Sequence, residues 1–315
     1  MQIALKVDVD TLRGTRAGVP ALLHALKRAN CGATFLFSLG PDHTGRAIRR
    51  VFRPGFLSKV SRTSVLEHYG LRTLLYGTLL PAPDIARRAA GQMRAVRDAG
   101  FEVGVHCYDH IAWQDLVAQR DVHWTQRQMR LACERFETVF AAAARVHGAA
   151  GWQMNSAAVA FEEQLGFAYA SDTRGTEPFV PLIDGRRSRV PQLPTTLPTL
   201  DELIGLDGWT VDNVHEALLQ RTHAHAATPA AASQVFTLHA ELEGMKLLPV
   251  LERILNGWRA QGHELVSLAT LCSSLDIAAL PACEIVAGTV PGRSGELACQ
   301  KSDQQHYVAA DTGIL

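Results

Sequence analysis

Four apolar, strand-like runs in this sequence each end in acidic or imidazole side chains, and this pattern is the strongest constraint on the fold. The clusters are Asp8 with Asp10, after residues 3–7; His106 with His110, after residues 101–105; Asp172, after residues 167–170; and His239, after residues 235–238. Parallel barrels and open parallel sheets carry their active sites at the carboxyl ends of the strands. We therefore expect strands that converge on one rim, where these side chains meet.

Strand-like and helix-like segments alternate along most of the chain, which predicts an α/β fold with parallel pairing and right-handed crossovers. The predicted strands are residues 3–9, 33–37, 101–106, 167–172, 189–193, 235–239 and 264–268. The predicted helices are residues 17–29, 83–99, 122–142, 155–165, 212–222 and 246–261, with Gly100 and Gly262 as C-terminal breakers. Six or seven such units favour one barrel-like domain over residues 1–280. Residues 41–80 form an insertion, and residues 281–315 form a C-terminal extension whose last fifteen residues we expect to be disordered.

Composition narrows the class of protein. The chain has 315 residues, of which 47% are hydrophobic, and its formal net charge is zero. It can bury a sizeable core, and global charge gives no argument for nucleic-acid binding. No apolar run is long enough to span a bilayer, and residues 1–6 enter a strand without the layout of a signal peptide. We expect a cytoplasmic protein whose six cysteines are free thiols.

Asp10, His106 and His110 have the residue types and spacing of a metal site. Histidines four apart lie on the same side of a helical turn or flank a tight loop, and a carboxylate from a neighbouring strand end completes a set that leaves coordination positions open. Asp8 and Asp10 point to the same side of their strand. Both can bind the metal, or one can bind it while the other takes a proton from water. Cys107 is a possible further ligand, although a small core residue is the favoured interpretation.

His239 and Asp172 end two other predicted strands. His239 is either a buried structural histidine or, given the polar residues 240–244 that follow, part of a site mouth. A hydrogen bond from Asp172 would favour its protonated form. His223 and His225 resemble a ligand pair, but nothing acidic follows them, so exposed helix residues are the favoured interpretation.

The insertion is basic and partly apolar. Its cations are Arg46, Arg49, Arg50, Arg53, Lys59 and Arg62, and Phe52 and Phe56 lie among them. Such a segment can lie flat on an anionic membrane, or it can be an ordinary solvated helix packed on the core. Both interpretations stay open.

At these residues the chain resembles the polysaccharide deacetylase (NodB-like, carbohydrate esterase 4) family. Asp8 and Asp10 match its first motif, His106-X3-His110 its second, and Phe236-Thr237-Leu238-His239 its fifth. Further segments resemble one subfamily, the 4-deoxy-4-formamido-L-arabinose-phosphoundecaprenol deformylases of lipid A modification. Those segments are residues 8–16, 38–42, 149–152, 171–175, 193–199 and 239–244. One departure is Gln153, which stands where the family's third motif supplies an arginine that orients the base; Arg13 or Arg174 are candidate replacements.

The resemblance implies a distorted parallel (β/α)7-type barrel with an inserted basic helical segment. It also implies a metal-dependent amidohydrolase that releases formate from a sugar carried on undecaprenyl phosphate, at the cytoplasmic face of the inner membrane, in a step that leads to polymyxin resistance. Asp10, His106 and His110 would hold a divalent ion, with zinc preferred and manganese or cobalt possible. Asp8 would be the base, and His239, supported by Asp172, would be the acid.

The expected substrate-binding residues come from the same segments. They are Arg13, Arg16, Trp152, Arg174, Glu241 and Glu243. One of the arginines Arg13 and Arg16 would contact the lipid phosphate, and the alternative for them is a surface salt bridge. Two rival functions stay open: a metal-dependent N-deacetylase of another amino sugar, and a homologue that binds glycolipid without hydrolysis. No nucleic-acid partner is expected.

Overall fold

The computed structural model describes residues 1–47, 70–227 and 233–301. Within them, a sheet of seven parallel strands forms the centre of the molecule and curves into a half-barrel. Its strands are β1 (Gln2–Val9), β2 (Thr34–Ser38), β3 (Glu102–Cys107), β4 (Val146–His147), β5 (Tyr169–Ala170), β8 (Gln234–His239) and β9 (Glu264–Val266). The α/β class with parallel pairing is confirmed.

Strand β1 is the centre of this sheet. The hydrogen-bonded order is β5-β4-β3-β2-β1-β8, and β9 pairs with the first residues of β1, Gln2–Ala4. All residues of β1 after the first are buried, as expected for a parallel strand covered on both faces. The carboxyl ends of β1, β3, β5 and β8 therefore lie on one rim, as the polar clusters predicted.

The segment predicted as a strand at residues 189–193 is extended but forms only isolated bridges. Gln192 bridges to Ala170 and to Phe179, and the backbone N–H groups of Thr196 and Leu197 both donate to the carbonyl of Val235. The segment thus connects β5 to β8 without a continuous ladder. Prolines at 191, 194 and 198 explain this, because each lacks the N–H that a ladder needs.

Helices surround the sheet, and the six predicted ones lie close to their expected positions. They are α1 (Val19–Arg28), α2 (Ile85–Asp98), α3 (His110–Leu116), α4 (Val122–Phe140), α5 (Ser156–Leu165), α6 (Leu200–Leu203), α7 (Val214–Ala226), α8 (Leu248–Ala260) and α9 (Leu268–Ser273). Side chains of Asp84, Asp121 and Asn155 accept hydrogen bonds from the first turns of α2, α4 and α5. Gly100 and Gly262 follow helix ends with φ angles of +87° and +79°, which confirms them as breakers.

The C-terminal extension folds back onto the barrel. Strand β10 (Ala282–Cys283) pairs with β6 (Val180–Ile183), which also pairs with β7 (Arg186–Arg187), and β11 (Ile285–Gly288) pairs with β12 (Leu297–Gln300). The backbone of β12 exchanges hydrogen bonds with Arg174. The expected disorder at the end of the chain lies outside the described residues, as does the middle of the 41–80 insertion, residues 48–69.

Apolar side chains from both faces of the sheet form the core. Val7, Phe37, Leu238 and Trp258 are among its fully buried members. Among the described residues, no helix is both long enough and apolar enough to cross a membrane.

Candidate active site

The alternation of β1 places three ionisable side chains on one face. Lys6, Asp8 and Asp10 are two residues apart, and successive side chains of a strand point to opposite faces. All three are buried. Asp8 is also the register partner of His239 on β8, so the first and fourth clusters are direct neighbours.

Asp10, His106 and His110 meet as predicted. One oxygen of Asp10, Oδ1, lies 3.3 Å from Nε2 of His106 and 3.3 Å from Nε2 of His110. His106 is near the end of β3 and His110 begins α3, so the two histidines flank a tight turn. The side chain of Asp109 stabilises that turn, because it accepts a hydrogen bond from the backbone N–H of Ala112. One carboxylate and two imidazoles therefore face a common point.

Neighbouring groups set the orientation and charge of this cluster. Nδ1 of His106 lies 2.6 Å from the carbonyl oxygen of Gly148, so that nitrogen is the donor and Nε2 keeps its lone pair for a ligand. Burial alone would raise the pKa of Asp10, but the imidazoles of His110 and His106 hold it well below its usual range. Asp10 is therefore a carboxylate at neutral pH.

Asp8 lies beside the cluster. Its Oδ2 is 3.4 Å from Nζ of Lys6, and its Oδ1 is 3.9 Å from Nδ1 of His106. Oδ1 is buried and has no hydrogen-bond partner among the described residues. Asp8 is thus a second carboxylate at the same rim, with one of its oxygens uncommitted.

His239 forms the opposite side of the site. It packs edge-on against Trp152, with 6.1 Å between ring centroids, and its buried Nδ1 has no hydrogen-bond partner among the described residues. Burial lowers the pKa of His239, and the carboxylates of Asp201 and Asp10 only partly oppose this. The neutral form is therefore favoured in the protein alone.

The predicted contact between Asp172 and His239 is wrong. Both oxygens of Asp172 are engaged elsewhere, by the backbone N–H of Ala149, by Nδ1 of His147 at 2.8 Å and by the amide of Gln192 at 2.6 Å. Asp172 is fully buried beneath the site. It supports the loop that carries Trp152, and it does not assist the acid directly.

Asp172 belongs to a buried network that the sequence did not reveal. Nδ1 of His147 lies 2.8 Å from both Asp172 and Glu162. Burial alone would lower the pKa of His147, but the carboxylate of Asp172 outweighs it and raises that pKa to about 10, while His147 in turn lowers the pKa of Asp172 to about 2. The pair is an imidazolium and a carboxylate inside the protein.

The side chain of Arg174 is held inside the protein. It is buried, it pairs with Glu202 at 2.5 Å, and it donates to the carbonyls of Thr195 and Leu197. Its guanidinium lies 5.1 Å from the centroid of Trp152. The prediction of Arg174 as a substrate-binding residue is therefore corrected: its hydrogen-bonding groups are turned into the protein.

Glu241 and Glu243 are also buried, and their assignment as substrate-binding residues stays a prediction. Glu241 is fully buried and accepts hydrogen bonds from the backbone N–H and the hydroxyl of Thr11. Glu243 is also fully buried and accepts from the backbone N–H of His239 at 2.7 Å. Burial raises the pKa of Glu243 to about 8. Both side chains stabilise the loops at the rim, and each keeps one buried oxygen, Oε2 of Glu241 and Oε1 of Glu243, without a hydrogen-bond partner among the described residues.

Arg13, Arg16 and Gln153 differ in exposure and in their contacts. Arg13 is partly buried, and its guanidinium is close to Gly70. Arg16 is exposed and donates to the backbone carbonyl of Arg88. Gln153, at the position where the family has an arginine, donates to the carbonyl of Glu296 and so turns towards the C-terminal extension.

Two residues of the site were missed by the sequence reasoning. Lys6 interrupts an apolar strand two residues before Asp8. The sequence could have indicated it, because a lysine at this spacing lies on the same face of the strand as the two acids. Arg293 lies 4.7 Å from the centroid of Trp152 and pairs with Asp201 and Glu202. No sequence pattern indicated Arg293, because it belongs to the C-terminal extension and only the tertiary fold brings it next to Trp152.

Comparisons with known proteins identify relatives over nearly the whole chain. No family model matches the chain. It is similar to two proteins described as probable 4-deoxy-4-formamido-L-arabinose-phosphoundecaprenol deformylase ArnD. The one from Shewanella sediminis is 34% identical over 96% of this chain and 95% of that protein, and the one from Wigglesworthia glossinidia brevipalpis is 28% identical over 91% and 98%.

Solved structures support the same fold. A polysaccharide deacetylase described as putative, from Mycobacterium smegmatis, aligns with a TM-score of 0.60 at 16% identity, over 92% of this chain and 94% of that one. The PuuE allantoinase aligns with a TM-score of 0.61 at 16% identity, over 86% and 89%. The expected NodB-like fold is confirmed. The chain therefore belongs to the 4-deoxy-4-formamido-L-arabinose-phosphoundecaprenol deformylase family, built on the polysaccharide deacetylase fold, and is a hydrolase that cleaves amide bonds.

Proposed function

We propose that the chain hydrolyses the formamide of 4-deoxy-4-formamido-L-arabinose linked to undecaprenyl phosphate. The products are formate and the 4-amino sugar lipid, in the lipid A modification that confers polymyxin resistance. The observation that carries the proposal is the meeting of Asp8, Asp10, His106, His110 and His239 on one rim, in a chain 34% identical to a protein described with this activity.

The residues at the rim fit a divalent metal ion. Oδ1 of Asp10 is buried and has no hydrogen-bond partner among the described residues, while two imidazole nitrogens stand 3.3 Å from it. A set of one carboxylate and two imidazoles leaves coordination positions open, as a catalytic metal needs. We propose zinc as the resident ion, with manganese or cobalt also compatible. When bound, the ion supplies Lewis-acid chemistry, because it lowers the pKa of water and polarises the formyl carbonyl.

Asp8 and His239 are proposed to move the protons. Oδ1 of Asp8 is the uncommitted oxygen of a buried carboxylate, and it takes a proton from the attacking water. His239, on the neighbouring strand, delivers a proton to the departing sugar nitrogen. One proton is accepted and one is given in each turnover, so the two roles balance. Because the pKa of His239 is lowered, its protonated form gives up a proton more readily than an ordinary imidazolium does.

Substrate recognition is proposed for three residues. Trp152 is buried beside His239 and holds its ring with a hydrogen bond from Nε1 to Thr195, so it can form a wall of the sugar pocket. Arg13 and Arg16 follow the first motif, and one of them can contact the lipid phosphate. Arg16 is the more accessible of the two, because its side chain is exposed.

Contact with the anionic cytoplasmic face of the inner membrane is also proposed. Leu71 and Leu79 are 67% and 81% exposed, and they follow the basic segment in the chain. Exposed apolar side chains next to cations are typical of an interfacial surface. The protein should sediment with phosphatidylglycerol vesicles, and the double substitution Leu71→Ser with Leu79→Ser should reduce the bound fraction. Equal binding to phosphatidylcholine vesicles would contradict an electrostatic contribution to membrane contact.

The substrate assay separates the proposed function from its alternative, an N-deacetylase. The purified chain is offered the formyl and the acetyl forms of the same 4-amino sugar, each with and without the polyprenyl phosphate. We expect formate from the lipid-linked formyl form and little acetate from any form. Faster acetate release, or no preference for the lipid-linked form, would reject the proposed substrate.

A further inference from the structure

A lysine side chain lies fully buried beneath the candidate active site. Lys6 is 0% exposed and lies on the same face of β1 as Asp8 and Asp10. An ammonium group in the protein interior is costly unless charged or polar groups compensate for its lost hydration. The partners of Lys6 therefore show what the side chain does.

Among the described residues, the groups that contact the Lys6 ammonium lie at the rim of the sheet. Nζ donates a hydrogen bond to the carbonyl of Ser171 at 2.8 Å, lies 3.4 Å from Oδ2 of Asp8 and stands 5.4 Å from the ring centroid of Trp152. The absence of a side chain at Gly148 leaves room for it, since a Cβ there would be 3.2 Å from Cε of Lys6. The lysine is thus held between the end of β5, β1 and the Trp152 loop.

The two oxygens of Asp8 have different surroundings. Oδ2 faces the ammonium of Lys6, while Oδ1 is buried without a hydrogen-bond partner among the described residues. A carboxylate with one oxygen held by a cation has a restricted rotation about its last bond. The other oxygen then keeps a constant direction. The guanidinium of Arg174 is not available for this task, because Glu202, Thr195 and Leu197 hold it.

We propose that Lys6 is the positioning residue of Asp8, and that its ammonium holds Oδ2 so that Oδ1 stays directed at the attacking water. The inference rests on the proposed function, because it assigns the orientation of the proposed base. Lys6 contacts no reacting atom and acts only through Asp8.

Lys6→Met tests the proposal, because methionine keeps most of the length of the side chain without its charge. We expect kcat to fall roughly 100-fold, in the range that a misplaced general base costs, with KM within about threefold and the metal content of the protein unchanged. In a crystal structure of Lys6→Met, the Asp8 carboxylate should be rotated away from its wild-type orientation. Lys6→Gln provides the same comparison if the methionine variant does not fold.

Chemical rescue separates positioning from general damage. Lys6→Ala leaves a cavity that propylammonium can fill. Added propylammonium should raise the kcat of this variant at least roughly tenfold, whereas propanol at the same concentration should not. An unchanged kcat in Lys6→Met, or a loss of kcat with Asp8 in its wild-type orientation, would overturn the inference. If the wild-type protein releases no formate, the proposed function fails, while the orientation of Asp8 in the two crystal structures still decides the role of Lys6.

Discussion

At the scale of residues, the site separates side chains that can hold a metal from side chains that can move protons. Asp10, His106 and His110 share one point, whereas Asp8 and His239 lie beside it on neighbouring strands. Substitutions in the two groups should therefore have different signatures.

Asp10→Ala should remove the metal. The two histidines that remain provide too few ligands to hold a divalent ion tightly, so we expect less than about one tenth of the wild-type metal content and a comparable loss of amide hydrolysis. Metal analysis of the dialysed protein measures this. Asp98→Ala, which changes an exposed carboxylate on α2, is the matched control and should keep its metal. Full metal and full activity in Asp10→Ala would refute the ligand assignment.

His239→Ala should remove the proton donor and leave the metal. We expect kcat to fall by roughly 10²–10⁴-fold, the usual contribution of a general acid. The metal content should stay at the wild-type level, because His239 is not one of the three clustered ligands. The decisive comparison is kcat against metal content in the same preparation. Loss of both together would place His239 in the metal site instead.

The sequence predicted individual residues well where a strand end carried the signal. Asp8, Asp10, His106, His110 and His239 all reach the rim. Asp172 also reaches it from below, but His147 and Gln192 engage its carboxylate instead of His239. Buried partners of this kind come from distant parts of the chain, and no local pattern in the sequence reveals them.

At the scale of elements, an ionic cluster connects three parts of the fold near Trp152. Glu202 of α6 lies 2.5 Å from Arg174, which follows β5, and 2.8 Å from Arg293, which belongs to the C-terminal extension. Glu202 is fully buried, and Arg293 is partly buried. The extension is thereby held against the wall of the site.

Glu202→Gln should destabilise the protein strongly. The amide can keep the hydrogen bond to the first turn of α6, but it leaves the buried guanidinium of Arg174 without its carboxylate and removes one of the two carboxylates that pair with Arg293, at a cost of about 3 kcal/mol. Urea unfolding at neutral pH measures the change. Glu284→Gln, at the exposed pair with Lys301, is the control and should cost less than about 1 kcal/mol. Equal effects of the two substitutions would contradict the role of the buried cluster.

Element boundaries were predictable where capping residues and glycines mark them. Gly100 follows the end of α2 as predicted, and Asp84 caps its start within one residue of the predicted position. The segment at residues 189–193 was predicted as a strand because its apolar residues resemble one, yet neighbouring prolines leave only isolated bridges. The extension showed no periodicity in the sequence, because tertiary contacts with Arg174 and Trp152 order it.

At the scale of the whole molecule, the buried pair of His147 and Asp172 should make stability depend on pH. The pKa of His147 is raised from its ordinary 6.5 to about 10, so its stabilising contribution is complete below about pH 6.5 and is lost as the pH rises towards 10. The pKa of Asp172 is lowered from 3.8 to about 2, so its contribution is complete above about pH 3.8 and is lost as the pH falls towards 2. Both contributions are therefore complete between about pH 4 and pH 6.5.

His147→Gln should flatten the alkaline side of this dependence. Between pH 6.5 and pH 9.5, we expect the free energy of unfolding of the wild type to fall by at least about 2 kcal/mol more than that of the variant. Urea titrations of both proteins at the two pH values measure this change in the free energy of unfolding. Subtracting the change in the variant removes the contribution of the other titrating groups. Parallel changes in the two proteins would show that His147 is not protonated in the folded state.

The central claim is that the chain is a metal-dependent deformylase, and a single measurement on the purified protein tests it most directly. Metal content and formate release from the lipid-linked formamido sugar are followed before chelation, after chelation and after zinc is restored. The account predicts close to one divalent ion per chain, loss of formate release on chelation, and its recovery with zinc. Undiminished formate release from a fully chelated protein would contradict it.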